Sequence, residues 1–593
     1  MRGAASMTAS SIPAILRERA SLQPTDIAFV FMDYDQEWEG VEKTLTWAEL
    51  YRRTLNMAEE LSIRAAPGDR AVIVAPQGLD YLVAFLGALQ AGVIAVPLSM
   101  PFAGQHDERV SAVLADSTPT AILTTSALTE VLAGYAKPDG SGTAPTVIAV
   151  DELDLESRRK STLRNVQRPE VAYLQYTSGS TRTPAGVMVT HNNLAVNFEQ
   201  QVNAYFSDRG GVAPMGTTVV SWLPFYHDMG LLLGVVAPIM GGWKTVFTTP
   251  LAFLARPARW MQLLATHPIA LTAGPNFAFE LAAGRTSDAD LDGMDLSQVL
   301  AFISGSERVH DATLKRFAQR FARFKLRPET LRPSYGLAEA VLYVATDGPN
   351  KPPTVVSFEP EELSAGRATV STEENSTPLV GYGKPSSPTV RIVDPETALV
   401  RPDDTVGEIW VRGDNVCVGY WQKPELTKTV FGATIAEPTD GTDAGPWLRT
   451  GDLGFISDGD LFIVGRIKDL LIVRGVNHYP DDIEATVQEI SNGRAAAISV
   501  DKDRAEQLVV IVEVKTHQNG DEDLREKLST LKGKLTAAIS QAHQLSPADI
   551  VLVGRGALPI TTSGKIRRAS CVQLYESGRF DRLDVAHGVP AGA

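Results

Sequence analysis

Residues 173–187, Tyr-Leu-Gln-Tyr-Thr-Ser-Gly-Ser-Thr-Arg-Thr-Pro-Ala-Gly-Val, gather hydroxyls and glycines in one short stretch. Glycine lets a backbone approach a ligand with no Cβ in the way, and consecutive amides with Ser and Thr hydroxyls donate to phosphate oxygens. Thr177, Ser178, Gly179, Ser180 and Thr181 are therefore candidate phosphate ligands. No GK[ST] tripeptide occurs in the chain, which excludes a Walker A loop. Taken alone, the stretch reads equally as a solvated turn.

Further constellations fall near the ends of predicted strands, where open α/β sheets bind ligands. Ser304-Gly305-Ser306-Glu307 follows one such strand, and Ser334-Tyr335-Gly336-Leu337-Ala338-Glu339 is read as following another. An aromatic beside glycines can stack on a base, and a carboxylate can hold Mg2+ near phosphates. Arg449-Thr450-Gly451-Asp452-Leu453-Gly454 supplies a loop aspartate suited to ribose hydroxyls, and Gly465-Arg466-Ile467-Lys468-Asp469 follows where the composition changes. Near the end, Thr561-Thr562-Ser563-Gly564-Lys565-Ile566-Arg567-Arg568 sets a lysine in a flexible polar loop. Singly, each is as easily a turn or a solvated charge.

Positioning so many groups takes a large α/β scaffold, and the pattern predicts one. Apolar runs at 71–74, 93–96, 121–124, 147–150, 171–176, 219–222, 245–248, 269–273 and 300–303 alternate with helical stretches, which predicts doubly wound, mainly parallel sheets. Residues 171–176 and 191–200 read as strand and helix, so the hydroxyl-rich loop is expected to join the two directly. Thr46 and Glu49 have capping-box spacing for a helix through about residue 61. After residue 390, shorter strands with Gly and Asp turns predict a small β-rich subdomain, and the tail past 465 a compact α+β domain. The expected division is residues 8–467 and 468–593. The helix around Leu314, Phe317, Phe321 and Phe324 carries a solvated basic face and is given no function.

Composition narrows the chemistry. Across 593 residues, 55 Lys and Arg against 70 Asp and Glu leave a net charge of −15, which argues against a nucleic-acid surface. Two cysteines, Cys417 and Cys571, make neither a disulfide framework nor a zinc motif, and fit a reducing cytoplasm. The longest uncharged greasy run, 229–243, is too short and too interrupted to span a bilayer.

In this order and spacing the segments resemble the ANL superfamily of adenylate-forming enzymes, from about residue 45 to 568. Trp222-Leu223-Pro224-Phe225-Tyr226-His227-Asp228-Met229-Gly230-Leu231, the loop at 177–187 and Arg474-Gly475-Val476-Asn477-His478-Tyr479-Pro480 are similar more particularly to fatty acyl-AMP ligases of the mycobacterial lipid-synthesis type. The resemblance implies a two-part enzyme with a small mobile C-terminal lid. It implies that Thr177 to Gly186 bind the β- and γ-phosphates of ATP, and that Gly305 and Tyr335, with Ser306 and Gly336, flank adenine. Glu339 would serve Mg2+, Asp452 and Arg466 would hold the ribose, and Lys565 would swing in to the substrate carboxylate and α-phosphate. His227, Met229, Gly230 and Gly475 would stand where the acyl channel meets the thiol tunnel. Gly274, Pro275, Asn276 and Phe277 would line the acyl pocket, and Lys468 would be the hinge. The chain departs from the usual Gly-x-Pro-Lys-Gly loop ending, with Ala185 in the lysine position and Arg182 as its one nearby cation.

The acceptor of the acyl group turns on another stretch. Residues 346–379 form a long polar connection, with 354–358 read as an added strand, and connections of that length are functional or disordered. It resembles the insertion of acyl-AMP ligases, which implies that the lid is braced and the acyl group goes to an acyl carrier protein or polyketide synthase. Three readings stand: a fatty acyl-AMP ligase, a long-chain acyl-CoA synthetase with an ornamental insertion, and a scaffold that binds ATP or lipid without catalysis.

Overall fold

The computed structural model describes residues 11–584, apart from 102–105, 139–142, 159–162, 164–167, 177–183, 374–375, 439–440, 474–475, 503–504, 516–520 and 562–563. Among these residues two large sheets dominate. The first runs, edge to edge, Thr146–Ala149, Ala121–Thr124, Arg70–Ile73, Ile94–Pro97, Val171–Tyr176 and Gly186–Thr190, parallel except for the last strand. The second runs Tyr343–Thr346, Leu331–Gly336, Ala301–Ser304, Ala270–Gly274, Thr218–Ser221, Lys244–Phe247, Ile27–Asp33 and Val41–Thr46, parallel except at its two edges. The expected doubly wound α/β class is what the chain forms.

Helix Leu79–Ala91 explains how two sheets share one core. From Tyr81 to Ala91 it is buried throughout, and its side chains join a cluster that includes residues of both sheets. It packs on Trp47–Ser62, where a Cβ on Gly87 would stand 2.3 Å from the Met57 side chain, so the two helices approach at a distance only glycine permits. The second helix opens with the expected capping box, Thr46 with Glu49.

Several local readings are corrected. A strand intervenes between Val171–Tyr176 and the helix, because the β-branched run Gly186–Thr190 pairs antiparallel with Val171–Tyr176 before helix His191–Tyr205 begins. Ser334, Tyr335 and Gly336 lie inside strand Leu331–Gly336, with Glu339 in the turn beyond it. Asp452 likewise sits within strand Leu448–Ser457, paired to Arg466 of Asp460–Arg466, with the preceding Gly451 in the left-handed region at φ 71°.

The β-rich subdomain is an antiparallel sheet of Thr389–Val393, Gly407–Arg412, Leu448–Ser457 and Asp460–Arg466. Beyond it, Ala495–Lys502, Ala505–Val514 and Asp549–Gly554 form the C-terminal sheet, covered by Pro480–Ser491 and by Asp521–His543, whose Leu528, Leu535 and Ile539 are buried. The long connection at 346–379 has its own structure: Val355–Phe358 pairs with Thr377–Val380, and a short helix, Pro360–Ser364, lies between them.

Candidate active site

Four neighbouring strands of the second sheet, Thr218–Ser221, Ala270–Gly274, Ala301–Ser304 and Leu331–Gly336, run parallel, so the segments at their carboxyl ends lie side by side. Those segments carry His227 to Gly230, Pro275 to Phe277, Gly305 to Arg308 and Tyr335 to Glu339. Parallel pairing thus gathers four sequence-distant constellations at one rim. Two glycines are sterically required there: a Cβ on Gly230 would stand 2.2 Å from the Pro224 carbonyl, and one on Gly336 only 1.5 Å from that of Leu342.

One half of the site is a carboxylate network. The buried Asp452 accepts from the Tyr335 hydroxyl at 2.7 Å and pairs with Arg466 Nε at 2.8 Å, which joins the large sheet to the β-rich subdomain. The Asp452 carboxylate raises the Arg466 pKa, while burial keeps the Tyr335 phenol well above its ordinary range. The Tyr335 ring meets Tyr382 edge-on at 6.3 Å. Glu339 accepts from the Tyr420 hydroxyl at 2.8 Å, and burial raises its pKa against that bond.

Into the other half comes the C-terminal domain. Gly564 backs onto Phe277, since a Cβ there would touch the ring at 3.4 Å, and Thr561 fixes the turn by accepting from the Lys565 amide at 3.1 Å. Burial and Arg466 lower the Lys565 pKa, while Asp228, Glu307 and Asp452 favour its charged form. Burial raises the pKa of Asp228 and of Glu307, and each is pulled back in part by Lys565. The lysine therefore lies among three carboxylates in a partly desolvated setting, ready to face an anion.

Asp228 and Glu307 lie inside motifs named from the sequence but carry no role there. Their signal was adjacency: Asp228 follows His227, and Glu307 ends the run that starts at Ser304. Glu307 Oε1 also accepts from the Phe277 amide at 2.7 Å, which fixes the Pro275–Phe277 segment beside the lysine. Arg308 and Tyr420 had carried no assignment either.

The remaining expected residues are distributed as follows. His227 precedes the short helix Asp228–Leu231, its ring 5.0 Å from that of Tyr226. Buried Met229 meets Ser306, hydroxyl to sulfur at 3.5 Å, so the expected channel and nucleotide segments touch. Gly274 and Gly305 are joined by a backbone bond of 3.3 Å. Asn276 is taken up structurally: its amide nitrogen donates to Thr313 and its oxygen accepts from the His310 amide, both at 3.1 Å. Lys468 lies in the turn Ile467–Asp469, with its pKa lowered chiefly by burial. Thr177, Ser178, Gly179, Ser180, Thr181, Arg182 and Gly475 lie outside the described residues.

The ends of the phosphate-loop candidate are nonetheless anchored. Tyr176 donates to Asp116 at 2.7 Å, and Asp116 pairs with Lys423 at 2.6 Å. Beyond the loop, Met188 and Trp421 bond to Gly419 and Gly186, which ties the strand to the segment bearing Tyr420. Among the described residues no three His, Cys, Asp or Glu side chains are grouped to cage a metal. A lone buried carboxylate such as Glu339 suits a Mg2+ that arrives with phosphates and keeps waters.

A family model described as AMP-binding enzyme matches residues 16–421, and one described as Disco-interacting protein 2-like, AMP domain, matches 468–584. Over 98% of its length the chain is 58% identical to the whole of a Mycobacterium leprae protein carrying the provisional name fatty-acid–CoA ligase fadD21. Over the same share it is 57% identical to the whole long-chain-fatty-acid–AMP ligase FadD28 of Mycobacterium tuberculosis. A solved fatty acyl-adenylate ligase from Legionella pneumophila, in complex with acyl adenylate and pyrophosphate, matches at 32% identity and a TM-score of 0.72, covering 97% of this chain and 98% of that one. With a family match over most of its length and relatives this close, the chain belongs to the AMP-binding, adenylate-forming enzymes, in the branch of the fatty acyl-AMP ligases.

Proposed function

We propose that the protein joins a long-chain fatty acid to AMP, consuming ATP and releasing pyrophosphate, and then hands the acyl group to the phosphopantetheine thiol of an acyl carrier protein or polyketide synthase. The observation that carries this reading is the seating of the Lys565 turn, from the far end of the chain, against Phe277, whose amide is held by Glu307, within electrostatic reach of Asp228 and the Asp452–Arg466 pair. A fatty carboxylate is a poor acylating agent because its leaving group would be oxide. When its oxygen attacks the α-phosphorus of ATP, a carboxyl–phosphate bond forms, the bond to pyrophosphate breaks, and AMP becomes the later leaving group. Both reactants are anions, so catalysis is mainly charge neutralisation and in-line positioning.

Each residue then has a task. Lys565 supplies positive charge between the carboxylate and the α-phosphate. Asp452, held rigid by Tyr335 and Arg466, accepts from ribose hydroxyls, and Tyr335 offers its ring to adenine. Glu339 would hold Mg2+, which when bound would neutralise phosphate charge. His227, Met229 and Gly230 border the way in for the thiol. The working division is residues 8–467 and 468–593, with Lys468 as hinge and the reaction in the cytoplasm. No helix among the described residues is long and apolar enough to cross a membrane.

For the acceptor, the insertion favours a carrier-bound thiol. Phe358, Leu363, Ala368 and Leu379 bury themselves in one cluster with Phe455, Phe462 and Tyr479, against which Ile467 and Leu470 pack. Glu361 also accepts from Gln544 of the C-terminal domain at 2.8 Å. The insertion thus grips both the turn holding Lys468 and the lid beyond it, which opposes lid rotation toward a CoA-using arrangement. The provisional CoA-ligase name of the Mycobacterium leprae relative keeps acyl-CoA synthesis as the second reading.

The test is mass spectrometry of products from ATP, Mg2+ and a panel of fatty acids, with no acceptor, with CoA, and with a phosphopantetheinylated carrier protein. Acyl-AMP that transfers to the carrier but scarcely to CoA supports the proposal. Rapid acyl-CoA formation overturns its second half, and absence of adenylate with every acid overturns the first.

A further inference from the structure

The start of helix Pro480–Ser491, in the C-terminal domain, presents Asp481 and Asp482 in its first turn and Glu484 just beyond. Two arginines from opposite directions hold this turn. Arg308, next to Glu307 in the large domain, meets Asp482 at 2.7 Å and also donates to the Val464 carbonyl at 3.4 Å, in the strand that ends at Arg466. Its side chain is only 9% exposed. Arg568, three residues after Lys565, clamps Glu484 through Nε at 2.8 Å and Nη2 at 2.7 Å. It also reaches Asp481 at 2.8 Å and Asp469, in the turn beside Lys468, at 3.2 Å.

Two-pronged arginine–carboxylate pairing fixes direction as well as distance. The surroundings make the arrangement costly to lose: Glu484 is 6% exposed and also accepts from the Ala497 amide at 2.9 Å. Removing one partner would strand a buried charge. A continuous polar chain therefore runs from the 305–308 segment through Asp482, Asp481 and Glu484 to Arg568 and the lysine turn. Phe277, bonded to Glu307 and packed on Gly564, supports the same turn from its other side.

We infer that Arg308 and Arg568 are positioning residues that lock the Lys565 turn to the nucleotide-side segment through the carboxylates of the Pro480–Ser491 helix. Neither arginine is given contact with a substrate. Their role is to hold the ammonium in register while the adenylate forms, so the inference rests on the adenylation reading above. Loss of either should leave ATP and fatty-acid binding near normal and slow the chemical step.

The experiment compares wild type with Arg308→Gln, Arg308→Lys, Asp482→Asn and Arg568→Lys by pyrophosphate-release kinetics and by hydrogen–deuterium exchange of peptides covering 467–471 and Lys565. Misplacing a reacting group by about 1 Å costs up to about a hundredfold, so kcat should fall roughly tenfold to a hundredfold in Arg308→Gln and Asp482→Asn. KM for ATP and acid should stay within about threefold, exchange at both peptides should rise, and Arg308→Lys should recover most of the loss through its single remaining ion pair. Arg568→Lys, which keeps charge but loses the fork, should also slow kcat. Wild-type kcat and unchanged exchange in Arg308→Gln and Asp482→Asn would overturn the inference, as would equal losses in KM, kcat and melting temperature. If wild type makes no adenylate, the substrate reading fails, and the exchange measurements still decide whether the lock exists.

Discussion

Replacing Lys565 by alanine removes an ammonium whose charged form Asp228, Glu307 and Asp452 all favour, and its consequences can be worked through group by group. In the substrate-free protein the loss is modest. Burial already disfavours the charged lysine, and Asp228 and Glu307, both raised by burial, can take up protons when it goes. Melting temperature should therefore shift by only a few degrees, the scale of about 1 kcal/mol in a large protein. Catalysis should suffer far more, because a preorganised charge facing the α-phosphate is worth about 2.7–4 kcal/mol, or roughly 10² to 10³ in rate. The assay is pyrophosphate release under saturating ATP and fatty acid, with equilibrium ATP binding measured separately. Lys565→Arg keeps a cation of different shape and should recover part of the rate. Retained ATP affinity with adenylation slowed over a hundredfold would fit the role, whereas adenylation within a few-fold of wild type would remove Lys565 from the mechanism.

Tyr335→Phe deletes the hydroxyl that donates to buried Asp452 and leaves that carboxylate short of a partner, at a cost of about 1–3 kcal/mol; KM for ATP should rise while the acid KM holds, and an unchanged ATP KM would count against the ribose assignment. Phe358→Ala empties a site boxed by Phe455 and Phe462 at 5.0 and 5.3 Å, costing about 3–5 kcal/mol locally and loosening the insertion from the hinge, so acyl-CoA formation should increase; unaltered CoA use would separate the insertion from acceptor choice. Lys468→Pro should impair movement between half-reactions but spare ATP binding, and wild-type rates in both steps would refute the hinge placement. Burial and neighbouring Arg308 hold His310 down to about 4, below the 6.5 of an unperturbed imidazole, so its contribution is present above pH 6.5 and is lost as pH falls from 6.5 toward 4. Denaturant titrations should show His310→Gln flattening that acid limb, by up to about 3 kcal/mol at ~1.4 kcal/mol per pH unit; an identical limb in the variant would refute the assignment.

Much of this architecture was legible because its signals are local. Apolar strand runs and the Thr46–Glu49 capping box depend on neighbours within a few residues, and both form as expected. The errors share a cause as well. Gly186–Thr190 comes directly after Pro184 and Ala185 and reads as part of the loop, although its β-branched run is a strand once Val171–Tyr176 lies beside it. Asp452 and Tyr335 read as loop residues because glycines adjoin them, and only pairing with Arg466 and Ala345 shows that both sit in strands. What no local pattern could give is which distant carboxylates meet Lys565. Asp228 and Glu307 are 337 and 258 residues away along the chain, and they come together through the parallel register of four strands and the docking of a separate domain.

That docking bears on how a chain of net charge −15 receives two anionic substrates. The site itself holds Asp228, Glu307, Glu339 and Asp452, and burial makes ionisation costly for the first three. Such a pocket would repel ATP and a fatty carboxylate if every one of those groups stayed charged. Asp452 is matched by Arg466, and Glu339 is of the type to be matched by a divalent cation carried with the phosphates. Asp228 and Glu307 both feel the charge of Lys565, and Glu307 that of Arg494 as well. An incoming carboxylate competes for that ammonium, and burial, which raises the pKa of both protein carboxylates, weakens their claim on it. The acids around Lys565 thus favour its charged form before substrate arrives without pairing so closely that substrate cannot claim it.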